Sequence, residues 1–247
     1  MKKLPEITIA FWIMKICATT LGETAGDLMS MTLNMGYGWS SIILLFLFAA
    51  VLIGQLVSKK HIPPLYWAVI LATSTAGTTM SDYMDRTLGL GYAKGSAILI
   101  ILLLTVLFGW KKTENSLNVT TINSFRAETF YWTAILFSNT LGTALGDFLA
   151  DNTGLGFLGG ALLIGSLLLL MILAYYFLKI SHIVLFWLAF ILTRPFGATF
   201  GDLLTKPVEK GGLNLGTIGS SSLLFVILSG LIIFSTFKDQ QTKRIDT

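Results

Sequence analysis

The stretch WIMKICATTLGETAGD, residues 12–27, is followed along the chain by three further copies of the same pattern. These are WAVILATSTAGTTMSD (67–82), WTAILFSNTLGTALGD (132–147) and WLAFILTRPFGATFGD (187–202). In each copy the tryptophan stands 15 residues before the aspartate, a glycine stands five residues before it, and a glycine or serine directly precedes it. The first and second pairs of copies are also related by a shift of 120 residues. Such regularity predicts four copies of one structural unit.

The chain as a whole is too apolar for a water-soluble domain. Hydrophobic residues make up 54% of the 247 and charged residues only 12%, whereas soluble domains carry about 25% charged residues. Apolar runs near the roughly 20 residues needed to cross a bilayer recur throughout. The sequence therefore predicts an all-α, polytopic membrane protein with eight transmembrane helices. We place them at Ile7–Met31, Trp39–Val57, Leu65–Met84, Ala93–Trp110, Thr129–Ala150, Phe157–Leu178, Ile183–Leu204 and Thr217–Phe237.

The predicted helices divide into four repeats within one transmembrane domain, residues 1–247. We place the repeats near 7–58, 62–111, 127–178 and 182–237, with a cytoplasmic linker at 111–127 and a cytoplasmic tail at 238–247. Two spans in each repeat make all four first helices run in the same direction, so the repeats are parallel. The first helices carry the small and polar residues and the second helices carry bulky apolar ones. We therefore expect the first helices to form an inner layer and the second helices to face lipid.

The distribution of basic residues predicts the orientation of the chain. Only Arg86, Lys94, Lys206 and Lys210 fall on one predicted side. The other side holds Lys2, Lys3, Lys59, Lys60, Lys111, Lys112, Arg126, Lys179, Lys238, Lys243 and Arg244. By the positive-inside rule, both termini then lie in the cytoplasm. The excess of positive charge reflects this orientation and predicts no nucleic-acid partner.

The repeated tryptophan and glycine–aspartate columns resemble a bacterial family of integral membrane proteins of unknown function. That family is built from four tandem repeats, each with two transmembrane segments and a shared tryptophan. The resemblance covers nearly the whole chain and implies the fold and a multi-pass location in the bacterial inner membrane. It implies no activity. The tryptophans, near the cytoplasmic ends of their helices, are expected to be anchors at the membrane interface.

The four aspartates are the candidate functional residues. A carboxylate near the middle of a membrane-spanning helix costs about 2.5–3.5 kcal/mol on insertion scales. Four of them at one depth suggest a shared polar environment, and residues four and seven positions earlier share their helical face. The candidate ion-binding residues are Asp27, Asp82, Asp147, Asp202, Glu23, Thr20, Thr78 and Thr143. Oxygen ligands of this kind suit a hard divalent cation, with Asp27, Asp82 and Asp147 as its predicted ligands.

Two cations within the first helices are expected to balance part of this negative charge. Arg194 interrupts the polar pattern of the fourth repeat and needs a partner, which we expect to be one of the acids. Lys15 of the first repeat is a second candidate counter-charge. The remaining surplus of carboxylates would be met by a bound cation or by protonation, which like charges placed close together favour. No resident cofactor is expected.

These residues leave three classes of function open. The first is a secondary transporter or exporter of a small cation, coupled to protons through the aspartates. The second is a transporter of a small organic or basic solute. The third is a scaffold or interaction protein in which the polar residues, or solvated acids at the outer edge of the membrane, have only a structural role. An enzyme is not predicted, since the chain has no phosphate-binding loop, nucleophile elbow or HExxH motif. The oligomeric state is not predicted.

Overall fold

The computed structural model of the protein describes residues 4–58, 60–122 and 124–245, with side chains except those of Thr121 and residues 238–245. Lys2, Lys3 and Lys59 of the predicted charge distribution lie outside the described residues, as do the side chains of Lys238, Lys243 and Arg244. The predicted orientation of the chain therefore stays a prediction.

The described residues form eight α-helices and no strand, so the all-helical fold class is confirmed. Each predicted span corresponds to one helix. They are α1 Ile9–Asp27, α2 Tyr37–Val57, α3 Pro63–Asp82, α4 Tyr92–Glu114, α5 Phe125–Asp147, α6 Gly156–Phe177, α7 His182–Thr205 and α8 Thr217–Ile245. The last helix continues beyond Phe237 into the segment predicted to be a tail.

The repeat aspartates stand at the ends of the first helices. In the first three repeats a five-residue π-helical turn follows directly, at Leu28–Thr32, Tyr83–Thr87 and Phe148–Asn152. The fourth repeat differs, because α7 continues to Thr205 and a short 3₁₀ turn follows at Val208–Lys210. The aspartates therefore lie where the regular helix gives way to a wider turn or to a loop.

The first helices of the repeats form a closed inner ring. Helix α1 packs against α3 and α7, and α5 packs against the same two helices. The second helices lie outside this ring, each against the first helix of the following repeat: α2 on α3, α4 on α5, α6 on α7, and α8 back on α1. The predicted inner and outer layers are both present, and the ring has quasi-fourfold symmetry.

Among the described residues, five helices are long and apolar enough to cross a membrane. These are the four outer helices α2, α4, α6 and α8, with the span of the last at Thr217–Phe237, and the inner helix α7. The outer helices are mostly exposed, and their exposed side chains are large and hydrophobic. The other three inner helices carry more polar and charged residues, since they line the interior of the ring.

Glycines allow the inner helices to approach closely. Each of these glycines stands five residues before its own aspartate and faces one residue on the next helix of the ring. That residue stands eight positions before the aspartate of the next helix. The four pairs are Gly22–Ser74, Gly77–Asn139, Gly142–Arg194 and Gly197–Thr19. The same contact repeated around the ring explains why this glycine recurs in every repeat, as expected of small residues at helix interfaces.

Replacing Gly77 with alanine is expected to destabilise the ring by about 1–3 kcal/mol, the usual effect of overpacking. The added Cβ would lie 2.9 Å from the Thr140 backbone nitrogen and 3.0 Å from the Asn139 carbonyl carbon, and neither atom can rotate away. Unfolding in detergent measures the change. Gly230→Ala on α8 is the matched control, because its Cβ would meet nothing within 4 Å. Equal stability of the two variants would contradict the close approach.

The tryptophan end of the ring is packed with aromatic side chains, and three of the four repeat tryptophans do not have the predicted role of interface anchors, whereas Trp12 is half-buried. Trp67, Trp132 and Trp187 are buried, so they are not anchors exposed to the membrane interface. They pack with the aromatic residues directly before them, and the hydroxyls of Tyr66 and Tyr131 form a 2.8 Å hydrogen bond between the neighbouring helices α3 and α5. Sequence alone cannot separate the two roles, because both place a tryptophan near a helix end.

Candidate functional site

A file of polar side chains follows the axis of the inner ring, and we call it the axial column. Its members stand four or eight residues apart along α1, α3, α5 and α7 and the turns that follow α3 and α7, a spacing that keeps neighbouring members on one face of each helix. Most are buried, and the more exposed Arg86 and Lys206 lie at the aspartate end. The column consists of Lys15, Glu23, Asp27, Ser74, Thr78, Asp82, Arg86, Asn139, Thr143, Asp147, Arg194, Asp202 and Lys206.

Arg86 joins two of the repeat aspartates. Its Nε lies 3.0 Å from Asp82 Oδ1 and its Nη2 lies 3.0 Å from Asp147 Oδ2. Asp82 belongs to the same repeat as Arg86 and Asp147 to the next. The guanidinium also donates a 3.2 Å hydrogen bond to the hydroxyl of Tyr37. One cation therefore pairs with both carboxylates on this side of the ring.

Lys206 performs the same task on the opposite side of the ring. Its Nζ forms ion pairs with Asp27 Oδ2 and with Asp202 Oδ1, the latter at 3.1 Å. Asp202 belongs to its own repeat, and Asp27 to the next repeat around the ring. The side chain of Lys206 is 16% exposed, whereas those of the two aspartates are 4% exposed. The ammonium thus lies between these buried carboxylates and the solvent-exposed end of the ring.

The charge of Lys206 is stabilised despite its partial burial. Burial disfavours the charged ammonium, but the neighbouring carboxylates of Asp202 and Asp27 outweigh this effect and raise the pKa of Lys206 above its usual value. The side chain therefore remains a cation at neutral pH. Two carboxylates at the exposed end of the ring are held by an internal positive charge.

Glu23 and Arg194 form a second network one helical turn deeper. Glu23 Oε2 accepts a 2.9 Å hydrogen bond from Arg194 Nη1 and 3.2 Å bonds from the hydroxyls of Thr78 and Thr143. Arg194 Nη2 in turn donates to the same hydroxyls, at 2.6 and 2.7 Å, and to the Ser74 carbonyl at 3.2 Å. All four helices of the ring contribute to this network. The predicted pairing of Arg194 with an acid is present, and its partner is Glu23.

Lys15 continues the axial column beyond this network. Its ammonium lies 3.5 Å from Asn139 Oδ1 and 3.9 Å from the centre of the Phe190 ring. Asn139 also donates a 2.8 Å hydrogen bond to Thr73. Lys15 is fully buried, and its described contacts are with an amide and an aromatic ring. It therefore extends the column without a described ion pair to one of the repeat aspartates.

The acids that come closest together differ from the predicted metal ligands. One carboxylate oxygen from each of Glu23, Asp147 and Asp202 lies within 4.8 Å of the other two. Within the described part of the chain this is the group of acids that can offer oxygens to one ion, whereas Asp27, Asp82 and Asp147 were predicted. The guanidinium of Arg86 lies between Asp82 and Asp147, and the ammonium of Lys206 pairs with Asp27.

Thr20 differs from the other predicted site threonines. Thr78 and Thr143 contact Glu23, as residues four positions before an aspartate should. Thr20 stands seven positions before, and its hydroxyl donates to the Ile16 carbonyl of its own helix at 2.9 Å. The equivalent Thr75 and Thr140 make the same bond within their helices. The structure therefore brings Thr78 and Thr143 to the carboxylates and leaves Thr20 outside the cluster.

From the sequence, two of the ion-paired cations, Arg86 and Lys206, are assigned only to loops. Arg86 and Lys206 each stand four residues after a repeat aspartate, a spacing that places two side chains on one helical face. They are also related by the 120-residue shift between the halves. With Lys15 and Arg194 they set four positive charges against the five carboxylates of Glu23 and the repeat aspartates, so the column has one formal negative charge in excess.

Comparison with known proteins places the chain in a family. Residues 10–61, 65–116, 130–181 and 185–241 each match the family described as Repeat of Unknown Function (DUF347). No curated protein and no solved structure matches the chain. The matched segments follow one another and together cover most of the 247 residues. The protein therefore belongs to the DUF347 repeat family and carries four tandem copies of its repeat.

Proposed function

We propose that the protein is a multi-pass membrane protein that carries a small divalent cation along the axial column in exchange for protons. In this proposal all eight helices cross the bacterial inner membrane, with both termini in the cytoplasm. The three inner helices α1, α3 and α5 are too polar to face lipid alone, and they cross within the shell formed by the outer helices. Polar residues of transmembrane helices usually face the bundle interior and mark ion pathways.

The observation that carries the proposal is the continuity of the axial column. From Lys15 to the level of Arg86 and Lys206 it extends over about 16 helical residues, or about 24 Å at 1.5 Å per residue. The hydrocarbon core of a bilayer is about 30 Å thick. A core serving only to hold helices together gains little from charges, since apolar replacement of buried ion pairs is often neutral or stabilising. A column of polar side chains that extends over most of the membrane thickness therefore favours transport over a purely structural role.

The acids supply the chemistry that such an exchange requires. Each repeat aspartate uses one carboxylate oxygen in its described ion pairs, and Glu23, Asp147 and Asp202 bring oxygens together. Oxygen ligands of this kind bind hard divalent cations. The one negative charge in excess is balanced either by a proton or by part of the charge of a bound cation. Exchange between the two is the coupling that we propose.

A structural scaffold is the second candidate, because all five acids have a protein cation as partner. Uptake of Mn²⁺ into liposomes containing the purified protein separates the two functions. Transport predicts saturable uptake above that of protein-free liposomes, unaffected by organic amines. A transporter of basic solutes would instead show amine uptake indifferent to Mn²⁺. Absence of Mn²⁺ uptake by folded, correctly inserted protein would contradict the proposal and favour the scaffold.

A further inference from the structure

The two cations at the aspartate end of the axial column occupy equivalent positions. Arg86 and Lys206 are separated by the 120-residue shift that relates the two halves of the chain. Each pairs with the aspartate four residues before it and with the aspartate of the following repeat. If the halves were functionally identical, the surroundings of these two cations would also be the same.

The surroundings of Arg86 fix its side chain in place. Besides two carboxylates, it contacts the Tyr37 hydroxyl at 3.2 Å. The guanidinium carbon also lies 5.9 Å from the centre of the Tyr37 ring and 5.7 Å from that of Tyr92, within the range of cation–π attraction. Tyr92 is itself held by a 3.2 Å hydrogen bond to Asp151. Arg86 therefore has partners on several sides in addition to its two carboxylates.

The equivalent positions around Lys206 do not provide such partners. Tyr37 and Tyr92 each follow a glycine with positive φ at the start of a second helix, and the residues at this position in the other two repeats are Phe157 and Thr217. Phe157 packs in a small apolar cluster with Ala150 and Leu203, and the hydroxyl of Thr217 forms a 2.7 Å hydrogen bond with that of Thr32. Apart from its two carboxylates, the described side-chain partner of Lys206 is the sulfur of Met31, at 3.8 Å.

The two side chains also differ in chemistry. The guanidinium of arginine is a planar fork that binds two partners at fixed angles, whereas the ammonium of lysine is a compact charge on a flexible stem. The Lys206 ammonium lies where a small cation would bridge the carboxylates of Asp27 and Asp202. The Lys206 side chain can rotate towards the exposed end of the ring, whereas Arg86 is held by its contacts with Tyr37 and Tyr92.

We infer that Lys206 is the internal counter-ion that a transported cation displaces from Asp27 and Asp202, whereas Arg86 keeps Asp82 and Asp147 paired. This inference rests on the proposed function. It adds where the transported cation binds and which side chain competes with it. The cation binds beside the closely spaced oxygens of Glu23, Asp147 and Asp202, with Asp27 as a further ligand. Lys206 is then a positioning residue that competes with the cation and does not bind it.

Binding of Mn²⁺ to the purified protein in detergent tests the inference. When Lys206 occupies the site, the apparent affinity for Mn²⁺ equals the intrinsic affinity multiplied by the fraction of time that the site is free. Lys206→Met removes the competing charge and is expected to tighten Mn²⁺ binding by at least about tenfold. Lys206→Arg retains a competing charge and should not tighten it. Lys210→Met, at an exposed lysine of the same loop, should leave the affinity unchanged.

The outcomes separate this inference from the proposed function. Unchanged Mn²⁺ affinity in Lys206→Met, together with Mn²⁺ uptake by the natural protein, would overturn the role of Lys206 and leave transport intact. If neither the natural protein nor the variant bound or carried Mn²⁺, the proposed function would be lost and this inference with it. Equal tightening in Lys206→Met and Lys210→Met would also overturn it, because general surface charge would then be the cause.

A measurement on the natural protein avoids any effect of the substitutions on folding. Saturating Mn²⁺ should release the Lys206 ammonium from its two carboxylates. An amine-acylating reagent followed by mass spectrometry should then label Lys206 at least about twofold faster, whereas Lys94 and Lys210 on the same side should be labelled at unchanged rates. Unchanged or slower labelling of Lys206 at saturating Mn²⁺ would overturn the proposed displacement.

Discussion

Replacing Arg194 with methionine is expected to lower the free energy of unfolding by about 3–5 kcal/mol, as found when one partner of a buried ion pair is removed. Arg194 is fully buried, and its guanidinium is the cation bound to Glu23. The variant leaves that carboxylate without a cation and removes two bonds to Thr78 and Thr143. Thermal or SDS-induced unfolding in detergent measures the loss.

Two further variants show whether the ion pair causes this loss. Changing Glu23 to leucine together with Arg194→Met removes both charges, and we expect it to restore most of the stability, since apolar replacement of a whole buried pair is often neutral. Arg126→Met removes an exposed arginine and should have little effect. If the double variant were as unstable as Arg194→Met, the loss would come from packing and not from an unpaired Glu23.

Replacing Asp202 with asparagine is expected to lower Mn²⁺ uptake into liposomes by at least about 100-fold. Asp202 belongs to the group of three acids with closely spaced oxygens and is one of the two partners of Lys206. Loss of even an outer partner of a metal ligand costs about 10- to 100-fold, and loss of a ligand charge should cost more. Uptake is measured at equal amounts of inserted protein.

Asp85→Asn is the matched control for this variant. Asp85 is also a buried aspartate near the end of an inner helix, at 5% exposure. It lies away from the axial column, where it contacts Ser81 and packs against Gly95 of α4. We expect Asp85→Asn to retain uptake. Equal uptake by both variants would remove Asp202 from the transport pathway, whereas equal loss would show that the effect is not specific to the axial column.

Much of the architecture follows from the repeat pattern. Four parallel copies with two helices each must place equivalent residues of the first helices at one level, so the grouping of Asp27, Asp82, Asp147 and Asp202 could be predicted. The polar first helices and apolar second helices also predict which layer lies inside. The inner ring and outer layer of the structure agree with both predictions.

The sequence does not predict which inner helix each outer helix packs against. Each second helix packs on the first helix of the following repeat, but a short loop between two helices is compatible with packing in either direction around a ring. Hydrophobic patterning does not decide between them, because the outer helices are apolar on nearly all sides. The choice depends on how side chains of neighbouring repeats fit together.

The counter-ions were missed because the predicted spans ended too early. With spans ending at Met84 and Leu204, Arg86 and Lys206 were assigned to loops and used only for orientation. In the structure the helical turns continue past Asp82, and α7 continues to Thr205. Both cations therefore remain on the face of their aspartates. The four-residue spacing was visible, but only the structure shows that each cation reaches a second aspartate of the next repeat.

Uphill accumulation of Mn²⁺ in liposomes with an acidic interior, at a membrane potential held at zero, is the measurement that tests proton-coupled cation transport most directly. Exit of protons should drive Mn²⁺ to an internal concentration above the external one, and a protonophore should abolish the accumulation. Mn²⁺ that merely equilibrates, or that fails to enter liposomes containing folded protein, would contradict the account.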